Sequence, residues 1–185
     1  MPFRIIDLTQ HDDHLIEQIA FMLLEGFREM APDAWETLEE AREEVSQSFA
    51  PDRISRVAVN EHGDAVGWIG GISQYDGNVW ELHPLIVHPD RQSSGIGRAL
   101  VSDLEEQVKA RGGLTITLGS DDQEGMTSLY GINLYPNPLE HLLNIRNLRH
   151  HPYEFYLKCG FVLTGIVPDA NGWGKPDIIM SKRVQ

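Results

Sequence analysis

Residues 91–98, Arg-Gln-Ser-Ser-Gly-Ile-Gly-Arg, have the make-up of a seat for phosphate. Gly95 and Gly97 lack the Cβ atoms that would hold a ligand away from the backbone. Behind them Leu100, Val101, Leu104 and Val108 recur at helical spacing, so the run opens a helix. First-turn N–H groups have no intrahelical partner, and the helix dipole adds to their attraction for an anion. Arg91 and Arg98 flank the turn with positive charge. The chemistry implied is capture of a diphosphate. A dinucleotide fold needs a third glycine where Leu100 stands, and no Gly-Lys followed by Ser or Thr occurs. The glycines alone fit a ligand-free strand-to-helix turn equally well, so the rest of the chain decides.

The arrangement resembles the coenzyme A signature of the GNAT N-acetyltransferases, Gln/Arg-x-x-Gly-x-Gly/Ala, with Gln92, Gly95 and Gly97 in its three defined places. A second motif of that superfamily, an aromatic pair, a basic residue and then Gly-Phe, is similar to Phe155-Tyr156-Leu157-Lys158-Cys159-Gly160-Phe161. The two motifs stand in family order, and the likeness covers roughly residues 1–183. It implies acetyl-CoA as co-substrate, with its diphosphate on Gln92, Ser93, Ser94, Gly95, Ile96, Gly97 and Arg98. It also implies direct transfer to an amine, without an acyl-enzyme and without a metal.

Transfer of acetyl from a thioester to an amine needs a path for the ammonium proton, donors for the carbonyl oxygen and a proton for the departing thiolate. Glu81, in Trp80-Glu81-Leu82-His83-Pro84-Leu85-Ile86-Val87, lies eleven residues ahead of Gln92. By resemblance that is the place of a strand glutamate acting as general base, often through water. A surface carboxylate paired with an arginine is the plainer reading. Pro84 removes a ladder donor within this strand and suggests a bulge. Such a bulge would offer the backbone N–H groups of Leu85 and Val87 to the carrier, as the family implies. Tyr156 occupies the place of the family tyrosine that protonates the thiolate, and Tyr153, one turn earlier, is the fallback. His83 is a weaker base candidate. Cys159 beside Gly160 reads as a small packing residue, and His150-His151 as no ligand pair, since adjacent side chains diverge.

Asp121-Asp122-Gln123-Glu124 directly follow the fifth strand. By resemblance, that end of the sheet admits carrier and acceptor. Asp121 and Asp122 would pair with the ammonium groups of one polycation, with Trp35, Tyr75 and Trp80 as candidate walls. The glutamates at 36, 39, 40, 43 and 44 fit a solvated helix face as well as an acidic rim. The chain also looks like the aminoglycoside 6'-N-acetyltransferases in Trp80–Leu85, Leu118–Asp122, Ser128–Gly131 and His151–Tyr156. That likeness implies acetylation of an aminoglycoside 6'-amine, antibiotic resistance, and a homodimer. Other amine acceptors, a polyamine or a peptide, remain open, as does an acyl-CoA sensor without chemistry.

Composition agrees with a cationic small-molecule acceptor. Against 28 Asp and Glu stand 15 Lys and Arg, a formal charge of −13. A nucleic acid would be repelled, whereas a polycation would be drawn in. Many soluble proteins carry such charge for solubility alone. No apolar run reaches membrane-spanning length, the start does not read as a signal peptide, and one cysteine excludes an internal disulfide. A cytoplasmic protein is expected.

At 185 residues the chain suits a single domain, 1–185. Expected elements are strands at 3–8, 54–60, 65–74, 79–87, 114–118, 163–167 and 178–181. Helices are expected at 13–29, from Pro32 to Phe49, from residue 95 onward and across the second motif. Gly70-Gly71 within the third strand suggests a bulge or a close backbone approach. The fold class expected is α/β (α+β): the GNAT fold, a mostly antiparallel mixed sheet of 6–7 strands with helices on both faces. Residues 125–152 exceed the usual family connection and read as either a lid or a packed elaboration.

Overall fold

A computed structural model describes residues 2–28 and 34–184. The chain forms two compact units, Met1–Ile116 with Val184–Gln185, and Thr117–Arg183. The expected fold class is observed: helices and seven strands among the described residues, with mostly antiparallel pairing.

In the first unit β1 (Phe3–Asp7), β2 (Arg53–Asn60), β3 (Ala65–Gln74) and β4 (Val79–Val87) lie side by side in that order. One face carries α1 (Asp13–Phe27) and α2 (Leu38–Gln47). Leu15, Ile19 and Leu23 of α1 and Ala41 and Val45 of α2 close a core with Val57, Val59, Trp68 and Ile86. Helix α2 starts later than the proline suggested. Thr37 caps it in a capping box, its hydroxyl taking the Glu40 N–H while the Glu40 carboxylate returns to the Thr37 N–H. Pro32 and Asp33, the expected start, lie outside the described residues.

The other face carries α3 (Ile96–Ala110), whose Leu100 and Leu104 are fully buried. Glycines let it approach: a Cβ on Gly67 would sit 3.0 Å from Ile96 and Leu100, and one on Gly71 2.9 Å from Leu104. Arg56 of β2 fixes the helix further. Its guanidinium grips Asp103 through two bonds of 2.7 and 3.0 Å and also reaches Asp7 of β1. The paired Asp103 carboxylate, reinforced by Asp7, holds this mostly buried guanidinium protonated, its pKa raised above the ordinary value.

The irregularity expected from Gly70 and Pro84 is where the two strands fall out of register. Ile69 pairs with Leu85 and Gly71 with Leu82, so Gly70 alone faces His83 and Pro84. A Cβ on Gly70 would lie 2.2 Å from the His83 carbonyl oxygen. The extra residue reverses the facing of β4. Before it, Trp80 packs on Gly71 toward α3; after it, Ile86 belongs to the α1–α2 core.

In the second unit the strands run β5 (Thr115–Asp121), β7 (Asp177–Arg183), β6 (Val162–Val167) in spatial order. Two short helices follow β5, α4 (Pro138–Leu143) and α5 (Tyr153–Lys158). Residues 125–152 are a packed elaboration with its own anchors. Leu129, Leu134 and Leu142 are buried, and Ser128 and Arg146 exchange two hydrogen bonds of 2.9 and 3.0 Å. Thr127 bridges Asn147, and Gly131 N–H donates to the Gly174 carbonyl at 2.8 Å.

Gly70→Ala is expected to lower stability by about 1–3 kcal/mol, the usual cost of forcing atoms into a filled site. Urea unfolding measures it; a midpoint equal to wild type would show that β3 and β4 tolerate separation there.

Candidate active site

The turn before α3 has the geometry expected of a phosphate seat. A short 3-10 turn at Pro89–Arg91, capped by His88 Nδ1 accepting the Asp90 N–H at 3.3 Å, turns the chain out of β4. Ser93 and Gly95 then take left-handed conformations, φ 60° and 91°. The Ser94 hydroxyl donates to the Arg91 carbonyl and tightens the turn. Gly95 is the N-cap, with no side-chain cap and no acidic residue in the first turn of α3. Gln92, Ser93, Ser94, Gly95 and Arg98 are exposed, while Ile96 is buried beneath them and Gly97 partly so. A Cβ on Gly95 would point into open space. Uncapped N–H groups, no competing carboxylate and a bare approach suit a diphosphate.

On β4 the face reversal sorts the expected residues. Glu81 is half-buried, and its Oε2 accepts a hydrogen bond from Gln74 Nε2 at 2.5 Å. On the same face His83 stands two residues on, exposed, its Nε2 3.8 Å from Glu44 of α2 and its ring 6.1 Å from that of Trp35. Trp35 packs edge-on against Phe27 with centroids 4.8 Å apart. Tyr75, in the turn between β3 and β4, is 76% exposed. Leu85 and Val87 lie beyond the bulge, each half-buried.

Trp80 requires a correction. It was expected as a wall of the acceptor site, but it is 5% exposed and faces α3. Its indole N–H donates to the Gly77 carbonyl at 3.2 Å, and Arg111 lies 6.0 Å from the ring centroid. Adjacent strand residues face opposite ways, so Glu81 and Trp80 do not share a face.

In the second unit Asp121 ends β5, which is longer than expected, and is exposed; its Oδ1 accepts from Asn171 Nδ2. Asp122 is also corrected. It is fully buried, with Oδ1 taking the Met126 N–H at 2.7 Å and Oδ2 the Thr127 N–H and hydroxyl at 2.8 and 2.7 Å. This carboxylate folds the loop after β5 rather than meeting an acceptor.

Tyr156 sits on α5, half-buried, with Phe155 and Phe161 edge-on at 5.1 and 5.7 Å. Burial, with the neighbouring Cys159 adding, pushes its phenol well above the ordinary tyrosine value. Tyr153 is more deeply buried and bonded to the Asn147 backbone, a packing residue. His151, passed over as a ligand, is a buried strut. Nδ1 accepts the Tyr153 N–H at 3.2 Å, so the proton lies on Nε2, which donates to the Asp121 carbonyl at 3.0 Å. Sequence reasoning missed Gln74, Glu44 and Asn171, which carry no motif and are brought to their partners only by pairing and loop closure. Among the described residues no group of three His, Cys, Asp or Glu is placed to hold a metal.

In the first unit a glycine turn without a side-chain cap leads into α3, and a strand glutamate stands ahead of the β4 bulge. Residues 17–132 match the acetyltransferase (GNAT) family, and the chain belongs to that family. Among solved structures it is similar to an aminoglycoside 6'-N-acetyltransferase complexed with coenzyme A. The two are 40% identical over 98% of this chain and 97% of that one, with a TM-score of 0.89. The aminoglycoside 6'-N-acetyltransferase from Enterococcus faecium is also 40% identical over the same shares, TM-score 0.86. An aminoglycoside 6'-acetyltransferase type Ii is 35% identical over 98% and 97%, TM-score 0.74. No curated protein matches the sequence.

Two outcomes test this assignment of roles. Asp122→Asn leaves buried donors facing an amide and is expected to cost about 1–3 kcal/mol in urea unfolding; a loss near zero would return Asp122 to the candidate acceptor contacts. His151 has its pKa lowered chiefly by burial, opposed by its bond to the Asp121 backbone and by the Asp122 and Asp121 charges. Below the unfolded value of about 6.5 the unfolded chain takes up a proton that the folded one refuses. Stability therefore falls as pH drops from about 6.5 and levels off once the lowered folded value is passed. His151→Gln should flatten that part of the pH profile of the urea midpoint; an unchanged slope would assign it to other groups.

Proposed function

We propose that this protein transfers acetyl from acetyl-CoA to the 6'-amine of an aminoglycoside. The observation that carries the reading is 40% identity across 98% of the chain to solved aminoglycoside 6'-N-acetyltransferases, one of them holding coenzyme A. Acetyl-CoA, when bound, supplies the acetyl group as an activated thioester. The N–H groups at the mouth of α3, with Gln92, Ser93, Ser94 and Arg98 around them, receive the diphosphate. Leu85 and Val87, beyond the bulge, offer backbone N–H groups to the carrier.

Glu81 takes the proton from the acceptor ammonium, directly or through water. Gln74, bonded to Oε2, keeps the other carboxylate oxygen turned to the acceptor. Asp121 pairs with a further ammonium group, and Trp35 and Tyr75 border the acceptor. Tyr156 hydrogen-bonds the departing thiolate. Because burial disfavours its tyrosinate, it keeps its proton across the neutral range and acts by donation of a strong hydrogen bond more than by full transfer.

The protein is proposed to act as a homodimer in the cytoplasm and to confer resistance. Exposed apolar side chains on the second unit, Leu139, Leu143, Val162 and Val167, support a contact with a second copy. Among the described residues no helix is long and apolar enough to cross a membrane.

Release of coenzyme A thiol should follow addition of an aminoglycoside bearing a 6'-amine and not of one with a 6'-hydroxyl. Equal turnover of spermidine or a peptide amine would replace the acceptor; no turnover with any amine would leave a sensor. Glu81→Gln should lower kcat about 10²-fold or more at neutral pH with acetyl-CoA affinity little changed. Full-speed turnover would remove Glu81 as base.

A further inference from the structure

Buried polar groups of the second unit form one connected set between β5 and α5. Asp122, Thr127 and His151 are all buried, and hydrogen bonds engage each of their side chains. Thr127, bound to Asp122 through its N–H and its hydroxyl, bridges Asn147. The Asn147 side chain in turn clasps the His151 backbone. Its Oδ1 accepts the His151 N–H at 2.8 Å, and its Nδ2 donates to the His151 carbonyl at 3.0 Å. The imidazole is therefore carried on a backbone fixed from both sides.

The two ring nitrogens of His151 hold different elements. Nε2 donates to the carbonyl of Asp121 at the end of β5, and Nδ1 accepts the N–H of Tyr153, the first residue of α5. Helix α5 has six residues, and its N-cap is Pro152, which has no side-chain acceptor to offer. So short a helix has little internal bonding to hold it. The imidazole supplies the missing cap from one residue earlier. Tyr156 lies one turn on, its N–H closing on the Pro152 carbonyl at 3.3 Å. Only a neutral ring with its proton on Nε2 makes both bonds, because an imidazolium would turn a second N–H toward that of Tyr153. Burial keeps the ring neutral, outweighing the pull of the Asp121 and Asp122 carboxylates.

We propose that His151 is a positioning residue for the transfer: one imidazole sets both the strand end that carries Asp121 and the start of the helix that carries Tyr156. The proposal rests on the roles in acetyl transfer assigned above to those two side chains. Two amides divide the work of the ring. His151→Asn keeps an oxygen where Nδ1 stood, for the Tyr153 N–H, and is too short for the Asp121 carbonyl. His151→Gln reaches that carbonyl with an amide N–H and leaves the Tyr153 N–H without an acceptor.

The test uses the full chain with acetyl-CoA and kanamycin, which bears a 6'-amine, in the thiol-release assay. His151→Asn should raise the KM for kanamycin about fivefold, with kcat within about twofold of wild type. His151→Gln should lower kcat about fivefold, with KM within about twofold. Each effect should vanish where its target is already gone. His151→Asn should add nothing to the KM of Asp121→Asn, and His151→Gln nothing to the kcat loss of Tyr156→Phe. A general loosening of the fold would instead move both constants in both variants and add in full to the second substitution. That result, or wild-type constants in both amides, would overturn the positioning role and leave the activity standing. A wild type that releases no thiol with kanamycin would overturn the transfer reading as well. Nitrogen NMR shifts of the wild-type imidazole decide the point even where the variants do not fold. A proton on Nε2 at neutral pH is expected, and one on Nδ1 would overturn the assignment.

Discussion

One close approach organises the first unit: Gly70 against the carbonyl of His83. Only a residue without a side chain lets β3 stay paired while β4 takes two residues to its one. The facing of β4 is reversed as a result. Glu81 and His83 look toward α2 and Trp35, while Leu85 and Val87 continue on the side that leads to the α3 turn. A regular strand would place a base at position 81 and carrier contacts at 85 and 87 on one face. The bulge separates the carboxylate proposed to handle the amine proton from the backbone proposed to hold the carrier.

Helix α3 is held to this strand system by means other than apolar packing alone. Arg56, mostly buried, links β1, β2 and α3 through Asp7 and Asp103. Burying a guanidinium is costly unless both forks are filled, and here both are. The start of α3 is thereby set against the strand that leads into it. At the surface Arg42 is shared between Glu17 and Glu39. In a chain with almost twice as many acids as bases, cations are placed as structural ties and at the mouth of α3.

The legible parts were those with local causes. β3 and β4 were read to the residue because their apolar alternation ends in Gly-rich turns, and the α3 turn because its glycines and periodic leucines are contiguous. Misreadings have long-range causes. Trp80 and Glu81 are neighbours in sequence, but only the register of β3 with β4 says which of them meets α3. Asp121 and Asp122 read as an acidic pair, yet the loop that folds back through Met126 and Thr127 buries one and leaves the other exposed. The start of α2 is local after all: Thr37 and Glu40 spell its capping box in the sequence.

Tyr156 shows how one environment serves both halves of a proton's history. Ordinary phenol acidity would let a tyrosine lose some of its proton at alkaline pH and so weaken as a donor. Desolvation by Phe155, Phe161 and the surrounding helix removes that loss, because the anion is what burial penalises. The same penalty makes complete transfer to a thiolate uphill, since a free thiol is a stronger acid than this phenol. In the proposed reaction what remains is a neutral donor to the departing thiolate, with the final protonation passing to solvent. For the proposed transfer the arrangement trades acid strength for a donor that keeps its proton across the neutral range.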